Sequence, residues 1–358
     1  MPGRALSLWK LWPGLVLLLL ITSCGAPQPP DPGSTAERGG QPIELVYYSW
    51  PEDATSVVFD AFTEETGIAV RHESYGTVQE AVDAIRAGRK IDLAVLESAS
   101  VPQLIQDGSL AALDFSHIPN FKYISPNFRD LTYDPGNRYS IPYSWGTTGL
   151  IVRTDLVEQP FGRWSDLWAP EYAGRVILWT SVPRDTLGVA LHALGYSANS
   201  EDPGELEEAQ ARLLELAPHA IWLDDEETSA PWLIDGTAVA AVGWAYDYWA
   251  VQEAGVPVAY VLPKEGALLW NDNFVIPASS HNQEAVAALI DFLLRPEIAA
   301  QLINANYYPM AHDTARALTD EAIRDDPVIY PESSDLHHAE LEMPLTPEGQ
   351  RLQTEIWQ

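Results

Sequence analysis

Ile43-Glu44-Leu45-Val46-Tyr47-Tyr48 is a short run of aliphatic and aromatic residues with one charge near its start, the composition of a strand. Two similar runs follow, Ile68-Ala69-Val70-Arg71-His72 and Asp92-Leu93-Ala94-Val95-Leu96. Between the first two, residues 54–65 carry a helical pattern. Between the second and third, Thr77-x-x-Glu80 is a capping-box signature, after which Val78, Ala81, Val82 and Ile85 recur at i, i+3, i+4 and i+7. A further helix is expected to about Gln106. Strand, helix, strand, helix, strand predicts a parallel, doubly wound α/β sheet.

Working outward toward the C-terminus, the same alternation returns. Residues 175–179 read as a strand, 186–194 as a helix and 203–216 as an acidic helix. Residues 238–244 form a small-residue strand that enters a turn. Residues 258–262 read as a strand entered through Pro257, where a proline precedes the ladder and costs it no hydrogen bond. Residues 283–294 read as a helix with Val286, Leu289, Ile290 and Leu293 on one face. No internal repeat is visible. Two α/β lobes are expected, but periodicity alone does not show where the chain crosses between them.

Toward the N-terminus, Arg4 and Lys10 precede an uninterrupted apolar run over 15–21, and small residues lead to Ser23-Cys24. That is the layout of an export signal, with an apolar core too short for a permanent span. Cys24 is the chain's single cysteine, so no internal disulfide can form. Its place resembles the lipobox of bacterial lipoproteins, in which the cysteine is lipidated and becomes the first residue of the mature chain. Residues 1–24 are therefore expected to be a signal peptide. Residues 25–41, rich in Pro, Gly and Ser, are expected to be a flexible tether. What remains is long enough for two packed domains, and no later stretch reaches the length of a membrane span.

The net charge is −31 and only four lysines occur, which excludes the basic footprint that phosphate binding needs. Nucleic acid is not an expected partner. The acidic field would favour a cationic ligand, within a screening distance of about 10 Å at 0.1 M salt, and it equally serves solubility. Thirteen tryptophans and 46% hydrophobic residues argue against disorder.

Catalytic signatures are absent: there is no P-loop, no G-x-S-x-G and no H-E-x-x-H, and His337-His338 lacks partners at metal-ligand spacing. Nothing requires an enzyme or a cofactor. Aromatic residues do stand beside acids near predicted strand ends. Trp50 leads Pro51-Glu52-Asp53, Trp244-Ala245-Tyr246-Asp247 closes a strand, and Trp270-Asn271-Asp272 follows Glu265-Gly266. Ligand crevices of open α/β sheets lie at the carboxyl ends of strands. Indole faces attract ammonium groups, and a nearby carboxylate adds a charge-assisted hydrogen bond. Such a set suits an elongated polycation with an apolar stem, although the same tryptophans would also suit core packing.

Ordered blocks now bear on that choice. They are Tyr139-Ser140-Ile141-Pro142-Tyr143-Ser144-Trp145-Gly146-Thr147-Thr148, then Trp164-Ser165-Asp166-Leu167-Trp168-Ala169-Pro170-Glu171-Tyr172-Ala173-Gly174 and Leu194-Gly195-Tyr196-Ser197-Ala198-Asn199. Pro263-Lys264-Glu265-Gly266 leading to Trp270-x-Asp272, and Phe292-Leu293-Leu294-Arg295-Pro296, continue in the same order. Together they resemble the spermidine/putrescine-binding proteins of bacterial ABC importers over nearly all of residues 43–332. The resemblance implies a two-lobe, Venus-flytrap architecture of the type II periplasmic binding proteins. Lobe one would hold 41–148 and 271–316, and lobe two 149–270 and 317–358. It also implies a monomer at the periplasmic or extracytoplasmic face, tethered through Cys24, that passes a polyamine to permease subunits. Position by position, Trp50, Trp244 and Trp270 match the aromatic box around the polyamine. Asp272 and Asp185 match amine-binding acids, and Tyr308 matches a pocket tyrosine. Glu52 and Asp247, the acids beside Trp50 and Trp244, join the expected site.

Other positions depart from that pattern. Pro51 and Asp53 stand where Thr and Tyr are frequent, and Glu97-Ser98-Ala99-Ser100 replaces a segment that usually contributes a tyrosine. An aspartate pair is missing around Thr180-Ser181-Val182, while Asp225 and Glu342 fall near usually neutral positions. The acids are redistributed, so three rivals stay open. One is the same fold holding another organic cation, or ferric ion through Tyr307-Tyr308. Another is a glycoside hydrolase with two facing carboxylates. The last is a structural envelope lipoprotein with no ligand.

Overall fold

The computed structural model describes residues 37–38, 41–51, 53–224 and 228–358, which belong to one compact unit. The expected signal peptide, Cys24, most of the tether, Glu52 and Asp225 lie outside them. Two short strands, β1 (Glu37–Arg38) and β2 (Gln41–Pro42), pair antiparallel ahead of the main fold.

The three runs that open the pattern become β3 (Glu44–Ser49), β4 (Ala69–Ser74) and β5 (Leu93–Glu97), with β3 central and parallel to both neighbours. The first expected helix is a 3-10 segment over Ala54–Val58 that passes into α1 (Phe59–Thr66). Next come α2 (Val78–Arg86) and α3 (Val101–Gln106). The Thr77 side chain caps α2 by accepting the Glu80 N–H at 3.2 Å. Glu80 returns to the Gly76 N–H at 3.0 Å, one residue earlier than a capping box has it.

The expected parallel pairing holds for β3, β4 and β5, and a strand that periodicity did not show makes the larger sheet mixed. β6 (Ser140–Arg153) is 14 residues long and buried along both faces, so it lacks the polar alternation that marks a strand in sequence. Its first part pairs antiparallel with β11 (Leu268–Val275); its last part pairs antiparallel with β9 (Ala240–Gly243) and β10 (Val258–Val261). Beyond β9 lie β7 (Val176–Trp179) and β8 (Ile221–Leu223), again parallel. β12 (Glu340–Leu341) runs parallel to the start of β11. The sheet is mixed, with parallel wings joined through antiparallel β6 and β11.

Hydrophobic cores sit on either side of that junction, and a further one, with Tyr75, Val82 and Leu104, lies under α2 and α3 on the other face of the β3–β5 wing. Tyr47, Phe62, Ile141, Phe274, Leu289 and Leu302 belong to the first, which buries α1, α8 (Gln283–Leu293) and α9 (Pro296–Asn306). Ile151, Trp164, Ile177, Leu191, Leu206 and Val242 belong to the second, under α4 (Pro183–Leu194) and α5 (Pro203–Leu216). α6 (Ala230–Ile234) and α7 (Ala245–Glu253) pack there too. β6 changes core between Tyr143 and Leu150, and β11 between Leu268 and Phe274. The short α10 (Asp313–Arg316) and α11 (Glu321–Arg324) precede α12 (Pro347–Trp357). Residues 317–358, expected wholly in the second lobe, divide instead. Ile323, Ile329 and Tyr330 are buried in the first core, with Arg316 stacked 4.1 Å over the Tyr330 ring, while Leu352, Ile356 and Trp357 pack on the second. Among the described residues no helix is long and apolar enough to cross a membrane.

Candidate ligand-binding site

Between the cores, where β6 and β11 cross, lies a cavity of about 150 Å³. It opens into a wider groove that runs along α2 and α12.

Trp270 forms one wall. It is the Cα partner of Gly146 across the β6–β11 ladder, and its ring lies directly over that glycine. A Cβ at position 146 would stand 2.3 Å from Trp270 Cζ2, so only glycine admits the ring there. Tyr308 meets the same ring edge-on, with centroids 5.0 Å apart and planes at 89°, a favoured aromatic geometry. The Trp270 indole N–H is buried without a hydrogen-bond partner.

Trp244 forms the opposite wall from the second core. It is the N-cap residue of α7 at the end of β9, and its indole Nε1 donates to Thr148 Oγ1 at 3.0 Å. Thr148 in turn donates to Asp185 Oδ2 at 2.8 Å. Asp185 stands in the first turn of α4, where a helix favours negative charge. Trp50, at the end of β3, packs against Tyr75 at 4.6 Å and closes the cavity from the first core.

Acids crowd one end. Asp272 of β11 accepts from Ser144 Oγ at 3.4 Å and directly faces Glu97 across the antiparallel β5–β11 ladder. Burial, then the charges of Asp272 and Asp185, push Glu97 up to about 8. Glu342, just beyond β12, is pushed well above the carboxylate range by burial and by Asp185 and Glu97. Burial also raises Asp185, against the opposing hydrogen bond from Thr148. Arg184 lies beside this group, and its Nη2 donates to Asn199 Oδ1 at 2.7 Å and the Met343 carbonyl at 2.9 Å. Asp53, on another side of the cavity, is held by protein donors: Tyr47 at 2.6 Å, Tyr143 at 3.3 Å, and Thr55 through both hydroxyl and backbone.

The structure thus brings Trp50, Asp185, Trp244, Trp270, Asp272 and Tyr308 around one cavity. Asp247 does not reach it; this acid is 4% exposed beside Gly243 and lines only the outer groove. Glu52 and Cys24 are outside the described residues. Sequence reasoning did not place Glu97, Asp53, Tyr143 or Asn306 in the lining. Glu97 carried a usable signal, an acid at the carboxyl end of a strand; Tyr143 carried none, since β6 was not legible as a strand. Tyr307 and Tyr308 also part company. Tyr307 packs into the first core beside Trp249, at 5.3 Å, and only Tyr308 lines the cavity. Among the described residues no group of three or more His, Cys, Asp or Glu side chains is arranged to hold a metal ion.

Chemically, apolar ring faces with carboxyl groups at one end can hold an elongated cation. Comparison with known proteins bears on the same cavity. The model of the bacterial extracellular solute-binding proteins matches residues 58–329. The spermidine/putrescine-binding periplasmic protein of Escherichia coli (strain K12) is 32% identical over 311 residues, covering 86% of this chain and 89% of that one. A putrescine/agmatine-binding protein of Pseudomonas aeruginosa is 30% identical over 302 residues, covering 79% and 82%. Among solved structures, the spermidine/putrescine ABC transporter substrate-binding protein of Streptococcus pneumoniae superposes with a TM-score of 0.78 at 31% identity, covering 88% of this chain and 97% of that one.

Proposed function

We propose, from the premise that this chain belongs to the bacterial extracellular solute-binding proteins, that it is the extracytoplasmic receptor of an ABC importer and captures spermidine- or putrescine-like polyamines between its two lobes. The observation that carries this reading is the convergence of Trp50, Trp244 and Trp270 with Asp185 and Asp272 on a single cavity between separate cores. Each indole face is worth about 0.5–2 kcal/mol to an ammonium-bearing chain, depending on desolvation. The carboxylates compensate the cost of taking the charge out of water. Rotation about β6 and β11, the strands common to both cores, would open and shut the cavity. The role is binding and delivery, as in the family, with no reaction to catalyse.

The lobes are assigned as 41–148 with 271–316 and 149–270 with the end of the chain, adjusted so that the segment through Tyr330 stays on lobe one. Cys24 is proposed as the lipid anchor, and Cys24→Ser, followed by fatty-acid labelling and cell fractionation, tests it. The ligand is tested by thermal shift against putrescine, spermidine, spermine and agmatine. A ligand at about 100 times its Kd should stabilise the fold by about 2.7 kcal/mol. Stabilisation by none of these amines would overturn the assignment. Asp272→Asn should weaken binding by more than about tenfold, because it leaves an ammonium without its charge partner.

A further inference from the structure

The acidic end of the cavity holds more carboxyl groups than one ammonium requires. Glu97 and Asp272 face each other across β5 and β11. Asp185 and Glu342 line the adjoining groove together with Glu97, and the Asp185 charge adds to burial in pushing Glu342 well above the carboxylate range. The cation facing the cluster is Arg184, already engaged with Asn199 and Met343. Thr148 and Ser144 supply only neutral hydroxyl groups. Asp53 and Tyr143 stand elsewhere on the lining, occupied with each other and with Tyr47 and Thr55, and Asp247 lies out along the groove. Four carboxyl groups and one guanidinium in a site of this burial cannot all ionise.

We propose that Glu97 and Glu342 are part of the cation site, and that an amine entering it displaces protons held by this cluster, so that capture releases protons to solvent. The proposal rests on the reading of the cavity as a polyamine site. No covalent bond of the ligand changes; its ammonium takes the place of protons held on the clustered carboxyl groups. In the empty protein Glu97, pushed up to about 8, is mostly protonated at pH 7. An ammonium alongside draws it back toward the ordinary carboxylate range. Binding therefore tightens as pH rises toward 8, by up to about tenfold per pH unit for each proton released, and levels off above.

The test is calorimetric titration of the full chain, in mild detergent, with spermidine and putrescine at pH 7. Phosphate, imidazole and Tris buffers, whose ionisation heats differ, serve as the series. The slope of observed heat against buffer heat counts the protons, and release of about one or more is expected. Glu97→Gln and Glu342→Gln should each lower that count. Heats that bind but do not vary with buffer would overturn the proton coupling and leave the polyamine assignment standing. An undiminished count in both variants would remove Glu97 and Glu342 from the site. Absence of binding by either amine would instead sink the functional reading on which the proposal rests.

Discussion

Replacing Gly146 by alanine should damage the binding site through a residue on another strand. The added Cβ would lie 2.3 Å from Trp270 Cζ2, 2.8 Å from Cε2 and 3.1 Å from Cη2. Carbon atoms rest about 3.5–4.0 Å apart, so the indole must retreat by more than about 1 Å. Tyr308, edge-on at 5.0 Å, blocks one direction, and the free direction is into the cavity of about 150 Å³. The ring then occupies space meant for ligand and no longer presents its face squarely. Loss of one such face costs about 0.5–2 kcal/mol, or roughly 2- to 30-fold in Kd. Overpacking adds about 1–3 kcal/mol of lost fold stability. Calorimetric Kd values for spermidine in wild type, Gly146→Ala, Trp270→Ala and the double variant form a cycle. The alanine should weaken binding in the wild-type background and do almost nothing once the indole is gone. An equal loss in both backgrounds would refute the reasoning, because Gly146 would then act through its own backbone.

Three further outcomes follow from the same geometry. Thr148→Val removes the hydroxyl that accepts from Trp244 and donates to Asp185, and should weaken amine binding by about 1–3 kcal/mol; Thr148→Ser should retain most of the affinity, and a serine variant as weak as the valine would sink this account. Asp53→Ala removes the carboxylate that accepts from the buried Tyr47 and Tyr143 hydroxyls, leaving them Thr55 and, for Tyr143, Asn306, and removes the cap of the segment 54–58. Urea unfolding should show a loss of about 2–4 kcal/mol, and an unchanged midpoint would contradict it. Glu97, Glu342 and Asp185 all titrate higher folded than unfolded. Their contribution is complete below the unfolded value near 4.3 and is lost as pH rises toward 8. The ligand-free melting temperature should fall across that window and Glu97→Gln should flatten the fall; a steady rise from pH 5 to 8 would be the opposite sign.

Much of the α/β wing was legible because its signals are local. Leu45, Val46 and Tyr47 form a short continuous apolar run, buried throughout, and Thr77 and Glu80 mark a helix start that the structure has in place. β6 escaped because Pro142, Gly146 and Gly149 interrupt a run buried on both sides, leaving no period to read. α4 begins at Pro183, three residues before its apolar pattern starts, since proline fits the first helical turn without needing a partner. In the site, tryptophans beside acids could be picked from sequence, yet the pairing of Glu97 with Asp272 spans 175 positions and depends on strand register. Asp247 looked equivalent to Asp272 by its neighbour Trp244, but a first-turn helical position turns it toward Gly243 and the groove.

The order in which the chain supplies its first core has a consequence for biogenesis. Leu45, Phe62 and Val95 are made early, but they bury against Leu289, Leu302 and Ile303 of α8 and α9. During synthesis that face of the amino-terminal sheet therefore waits until most of the second core has been made, whereas its other face can pack early on Val82, Leu104 and Tyr133 of the same region. Completion of the first core is delayed by the long loop that must close before the late helices dock. The discontinuous assembly of the first core thus acts as a clock on its completion.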